Sequence, residues 1–308
     1  MGESRLKSYL HYHFIVFIWG FTAVLGALIT IDALPLVWYR MLLASVFVFL
    51  WILWKKKKMK LTRKRLVILF LAGTVIALHW LAFFAAIKVS NVSITLALIS
   101  TGAFFTSILE PIFYKRKVVW YEIFFGGIVV VGLFLIFKVE TQYTAGILLA
   151  LAAAFLSAVF TLINGKIAKI EDASVISFYE LLFGTMVITA YLFYLSMIGS
   201  GAEGFSTGFF SLSTSDLGYL LVLALFCTAY AIIASVDVMK HLSPYTVMLT
   251  INLEPIYGIL LALLVFGSKE EMSTGFYYGA AIILSTVVLN GLLKSNFKIK
   301  RKVPKSSF

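Results

Sequence analysis

Long apolar stretches alternate with short polar ones along the whole chain. Ten runs are mostly apolar for ~20 residues, the length a helix needs to cross ~30 Å of hydrocarbon. They cover roughly 11–30, 34–54, 66–88, 91–114, 119–137, 144–166, 174–197, 217–239, 243–266 and 273–293. No alternating ~10-residue pattern of a membrane barrel appears. Backbone groups in lipid must be paired within their own segment, so the runs predict helices. The expected fold is an all-α integral membrane protein with ten transmembrane helices.

The polar segments give the orientation. With the N-terminus placed in the cytoplasm, the inside segments hold Arg5 and Lys7, the dense run from Lys55 to Arg65, Lys115, Arg116 and Lys117, Lys166 and Lys169, Lys240, and the cations of the C-terminal tail. Of 26 Lys and Arg, only Lys88, Lys138, Lys269 and Arg40 stand elsewhere. This bias predicts a multi-pass protein of the inner (cytoplasmic) membrane with both termini cytoplasmic. The loop at about 198–216, rich in Gly and Ser and without Lys or Arg, falls outside. The Lys55–Arg65 run is read as a topological signal rather than a ligand site.

Composition supports lipid as the solvent. Apolar residues make up 61% of the chain and charged ones 13%, against ~25% in soluble domains. The net charge of +12 sits in short runs between apolar stretches, which fits anionic headgroups and not a nucleic-acid surface. Cys227 is the single cysteine, so neither an intramolecular disulfide nor a cysteine zinc site can form. The first apolar run passes through Trp19, Phe21 and Ile29 without a small-x-small cleavage site, and reads as a span rather than a cleaved signal.

The two halves resemble each other. Trp38-Tyr39-Arg40-Met41-Leu42-Leu43 aligns with Phe178-Tyr179-Glu180-Leu181-Leu182-Phe183, and Phe124-Phe125-Gly126-Gly127-Ile128 with Tyr277-Tyr278-Gly279-Ala280-Ala281. We expect a five-helix repeat over 1–138, a second over 139–294 and a basic cytoplasmic tail over 295–308. Five spans is an odd number, so the second repeat enters the membrane the other way up. Such inverted repeats place a substrate site near the midplane between the halves.

The chain resembles the EamA-domain family of the drug/metabolite transporter superfamily over nearly its whole length. Ile18-Trp19-Gly20-Phe21 is similar to that family's opening Trp-Gly signature, and Pro35 followed by Arg40 to its second-span pattern. Leu242-Ser243-Pro244 and Asn252-Leu253-Glu254-Pro255 are similar to its ninth span. The resemblance implies ten helices in two inverted halves and the export of amino acids, nucleobases or similar small metabolites. The first half departs from the pattern: Gly102 and Ala103 occupy the places of Leu253 and Glu254, and Glu110-Pro111 lies about two turns later.

Ionisable groups inside a span cost ~2.5–3.5 kcal/mol each on insertion scales, so they mark candidate sites. Glu254 lies near mid-membrane, and Pro255 denies the Ile251 carbonyl its usual donor. A carboxylate beside a free carbonyl suits an ammonium group or a proton. His79, Trp80 and Phe83 share one region of the third span; imidazole can relay a proton, and the rings can stack on a flat ring or a cation. A histidine bonded between helices, with packing aromatics around it, is the other reading. Arg40 and Glu180 hold equivalent places in the two halves. Arg40 is expected to snorkel toward the interface, whereas Glu180, flanked by apolar residues, is expected to line a cavity. Glu110 and Asp237 are expected to pair locally with Lys115–Lys117 and Lys240. Trp19, Asn252 and Tyr230 complete the candidate substrate-binding set.

No Gly-x-x-x-x-Gly-Lys-Ser/Thr or His-Glu-x-x-His motif occurs, and of the four histidines only His79 is deep, so no ATP motor, metal site or other cofactor is expected. The leading expectation is a secondary transporter, with no enzymatic activity and a proton as the candidate coupling ion. An intramembrane lipid-modifying enzyme and a non-transporting sensor or scaffold are the alternatives. Gly275-x-x-x-Gly279 and Gly126-Gly127 allow close helix contact, either within the fold or in a homodimer.

Overall fold

A computed structural model describes residues 2–115, 117, 120–198 and 204–298. Arg116, residues 199–203 of the Gly- and Ser-rich loop, and the basic tail beyond 298 all lie outside the described residues. All regular elements among the described residues are helical. The first part of the chain forms α1 (Gly2–Leu28), α2 (Ala33–Trp54), α3 (Arg63–Val89), α4 (Val92–Ile99), α5 (Gly102–Tyr114) and α6 (Trp120–Val139). The second forms α7 (Thr144–Ile167), α8 (Ala173–Met197), α9 (Thr214–Ala224), a π turn at Leu225–Tyr230, α10 (Ala231–Val238), α11 (Pro244–Ile251), α12 (Glu254–Phe266) and α13 (Thr274–Lys298). Seven helical segments are long and apolar enough to cross a membrane: α1, α2, α3, α4–α5, α7 with its leading turn, α8 and α9–α10; Phe124–Val139 is a shorter apolar helix. The outer surface is apolar to match, with Leu50, Phe70, Phe134, Leu260 and Leu264 all exposed.

Three interruptions shape the interior. The run 91–114, expected as one helix, is two. Ser100 Oγ donates to the Ala97 carbonyl at 2.5 Å and Thr101 Oγ1 to that of Leu98 at 2.6 Å. Hydroxyls that fill carbonyls three residues back compete with the helical ladder, and Gly102, a poor helix former, follows. The second break falls at Asn252–Leu253. Pro255 offers no N–H to the Ile251 carbonyl but fits a first helical turn, so the chain restarts as α12 at Glu254. The third is the π turn. Thr228 Oγ1 donates to the Leu223 carbonyl, five residues back, at 2.7 Å. The Cys227 carbonyl thereby becomes available to other helices: Trp19 Nε1 donates to it at 3.2 Å and Arg40 Nη2 at 3.5 Å.

The helices pair in a pattern that survives exchange of the two parts of the chain. α2 lies on α8 and α6 on α13. α3 packs against α7 and α8, as α9–α10 pack against α1 and α2. α4–α5 contact α7, and α12 contacts α1. The glycine face of α13 is filled within the fold: a Cβ on Gly279 would lie 2.8 Å from the Gly132 carbonyl oxygen of α6.

Polar contacts between loops fall into two sets. In one, Asp216 accepts from Thr30 N (2.7 Å) and Oγ1 (2.6 Å), Glu270 accepts from Val92 N (3.0 Å) and Ser93 N (2.9 Å), and Glu140 accepts from Ser273 Oγ (2.7 Å). In the other, Lys57 pairs with Asp172 at 2.8 Å, Arg65 pairs with Glu171, and Tyr179 Oη donates to the Met59 carbonyl. Partial burial works against the Asp172 carboxylate, yet Lys57 and Ser174 outweigh it and hold the group below its usual range. Asp237 pairs with Lys240 at 2.5 Å, as its position suggests.

Candidate functional site

A cavity opens where the interrupted helices meet. The cavity has a volume of about 80 Å³, enough to admit water. Its wall draws on α1, α2, α3, α4, α7, α10, α11 and α12. Residues from both parts of the chain therefore face one space.

Arg40 is only 2% exposed, so it does not snorkel as expected. Its guanidinium carbon sits 3.8 Å from the centre of the Trp80 ring and 5.3 Å from that of Phe84. Nε donates to Thr228 Oγ1 at 2.6 Å. The planar, weakly hydrated cation is thus held by a ring face and by the π turn. Its Nη1 is buried and has no hydrogen-bond partner.

Glu254, the first residue of α12, lines the same cavity and is buried. Arg40 and Glu254 lie within reach of one another's charge. Among the described residues, however, no ion pair or hydrogen bond joins the Glu254 carboxylate to a partner. Tyr12 and Thr22, two more cavity-lining residues, are also buried; they neighbour Ser235 and Cys227, and neither hydroxyl completes a well-formed hydrogen bond. Buried polar atoms in folded proteins are overwhelmingly paired. A cluster of unpaired ones around an open space is therefore a place built for a polar guest or for water.

His79 also lines the cavity, and its Nδ1 lies 2.8 Å from the Ala153 carbonyl. A carbonyl can only accept, so Nδ1 carries the hydrogen and neutral Nε2 is left as an acceptor. The histidine does bond between helices, and it still faces the cavity. Trp80, Phe83, Trp19 and Phe160 supply apolar walls, and Ser157, Thr161 and Ser235 add small hydroxyls.

Of the residues expected from the sequence, the cavity wall collects Glu254, Arg40, His79, Trp80, Phe83 and Trp19. Three stand away from it. Tyr230 Oη meets His11 Nε2 at 2.8 Å on the exposed side of the π turn. Asn252 is buried in the break between α11 and α12, with both amide atoms unpaired. Glu180 is fully buried beside Asn164. Tyr12 and Thr22 join the wall without having stood out in the sequence, although they fall seven residues before and three after Trp19, on one helical face. Ser157 and Thr161, one turn apart on α7, carried the same signal.

A curated relative from Archaeoglobus fulgidus, described as an uncharacterized transporter, is 23% identical over 294 residues, covering 92% of this chain and 96% of that protein. A solved crystal structure with 12% identity covers 95% of this chain and 99% of its own, with a TM-score of 0.65, a likeness of fold. The family described as EamA-like transporters matches residues 8–138 and 144–292. The chain is a multi-pass membrane protein that belongs to the EamA-like transporter family.

Proposed function

We propose that this protein is a secondary transporter that carries a small metabolite across the cytoplasmic membrane, binding it in the central cavity. One observation carries this reading: Glu254 and Arg40, opposite in charge, line one cavity without bridging each other, and Arg40 Nη1 has no hydrogen-bond partner among the described residues. A guest with a cationic group for Glu254 and an anionic group for Arg40 would fill both, as a zwitterion does. Trp19, Trp80 and Phe83 would cover its apolar part.

The transport cycle is alternating access in a ten-helix protein of two inverted repeats. Three features support that topology. The family match falls in two stretches of similar length. Packing is preserved when the parts are exchanged. Each loop–loop contact joins loops that a ten-span path puts on the same side. The cation-rich set, with Lys57 and Arg65, then marks the cytoplasmic side, and both termini share it. Two opposed halves around one site can rock to expose it to either face. Outward flux, from cytoplasm to exterior, completes the reading.

The test is flux in inverted membrane vesicles with a panel of radiolabelled amino acids, nucleobases and polyamines, alongside a dye that reports pH. Protein-dependent flux of one compound is expected. Glu254→Gln removes a charged contact worth ~1.5–3 kcal/mol, so the apparent affinity for that compound should fall about 10- to 100-fold. Undiminished affinity in the variant would remove Glu254 from the site.

A further inference from the structure

A second polar cluster lies outside the cavity, at Glu180 of α8 and Asn164 of α7. Both side chains are fully buried. Asn164 Nδ2 donates to Glu180 Oε2 at 3.3 Å. The other two oxygens, Glu180 Oε1 and Asn164 Oδ1, are buried and have no partner. Both are acceptors when the carboxyl is ionised, so the pair lacks a donor. Among the described residues it also lacks a counter-charge. Of the titratable groups on the surrounding helices, Arg40 on α2 bonds Thr228, His79 on α3 bonds Ala153, Lys166 on α7 donates to the Phe113 carbonyl, and Asp237 of α10 pairs with Lys240. None of them acts on Glu180.

A lone buried carboxylate with no cation beside it is strongly disfavoured. One proton on Oε1 removes the charge and turns that oxygen into a donor. The unfilled acceptor it needs, Asn164 Oδ1, sits on the side chain already bonded to Glu180. We propose that Glu180, completed by Asn164, is a proton-binding site separate from the substrate cavity, and that it is the coupling site of the transport cycle. The coupling role rests on the carrier reading above; the proton site itself does not.

The surroundings tie the proton to movement. Glu180 is about 12 Å of helix rise from Asp172, near the end that carries the Lys57–Asp172 and Arg65–Glu171 pairs. α3 crosses α8 tightly here: a Cβ on Gly73 would collide with the Glu180 carbonyl oxygen. Water has no room to solvate a carboxylate in that crossing. Release of the proton from Oε1 to water leaves a carboxylate, which is tolerated only once this end has opened. Rebinding of a proton favours closure. Glu180 thus occupies in the second half the place that Arg40 occupies in the first, one holding a movable proton and the other a fixed cation.

Infrared spectroscopy of the purified protein in lipid nanodiscs tests the site without any substrate. At neutral pH the wild type should show the C=O stretch of a protonated carboxyl that Glu180→Gln lacks. Asn164→Leu should shift that band, and Glu254→Gln should leave it in place. The deuterium shift of the wild-type band and its displacement in Asn164→Leu keep the test valid even where Glu180→Gln folds poorly. Identical spectra for wild type and Glu180→Gln would overturn the proposal. So would a band that appears only when Na+ is withdrawn, which would make this a sodium site. In vesicles, Glu180→Gln should keep substrate-for-substrate exchange and lose acceleration by a pH gradient; full gradient dependence in the variant would contradict the coupling role. A wild type that moves no compound of the panel counts against the carrier reading alone, because the infrared result stands without it.

Discussion

At Arg40 one guanidinium meets three different partners: the Trp80 ring face, the Thr228 hydroxyl and the Cys227 carbonyl freed by the π turn. These contacts hold the cation in the cavity wall and leave Nη1 without a partner among the described residues. Lysine keeps the charge but loses the planar stack and the second donor. Arg40→Lys should therefore weaken substrate binding about 3- to 30-fold, in line with ~0.5–2 kcal/mol for a desolvated cation–π contact. Competition binding in detergent measures this, and an unchanged affinity would mean that a point charge suffices. The sequence makes Arg40 visible as a cation inside an apolar run. Its burial is not visible there, because it depends on what α3 and the π turn bring alongside. Glu254, His79 and Trp80 were legible for the same reason as Arg40: polar or bulky groups stand out in an apolar helix. Tyr12 and Thr22 were less so, since a tyrosine and a threonine in a span usually bond or pack unremarked. Their place in the cavity wall emerges only from the packing of the helices.

Interrupted helices place the chemistry at the level of elements. The π turn is pinned by Thr228, which fills the Leu223 carbonyl and accepts from Arg40 in the same position. Thr228→Val has nearly the same shape and does neither. It should cost about 1–3 kcal/mol through the buried donor left unsatisfied, read as a lower midpoint of thermal unfolding, together with weaker substrate binding as Arg40 loosens. A variant with wild-type stability and affinity would show that the turn holds without its hydroxyl. The break before Glu254 could be read from Pro255, whose missing N–H is a local fact. The break at Ser100–Thr101 could not, because those hydroxyls bond carbonyls of their own helix and leave no mark on hydropathy. The π turn was equally silent, containing neither proline nor glycine. Hydropathy reports where a helix runs and says little about how its backbone is interrupted.

For the whole molecule, the apolar runs and the cation bias lead to a helical membrane protein, and helix bounds agree with the apolar runs to within a few residues at most ends, with longer first and last helices. The repeat led to an expected site between the halves, but which residues enclose that space could not be read from the chain, since that depends on α3 packing against α7 and α8 while α1 packs against α10 and α12. The central claim is that this space is the substrate site and opens to each side in turn. Ser157 on α7 is a small, half-buried residue of the cavity wall, and Cys227 is the sole native cysteine. The direct measurement is thiol labelling of Ser157→Cys in a Cys227→Ala background, using a membrane-impermeant reagent applied to right-side-out and inverted vesicles. The account predicts labelling from both faces, with a transported compound lowering the rate from each. Labelling confined to one face, or labelling indifferent to every compound the protein moves, would contradict it.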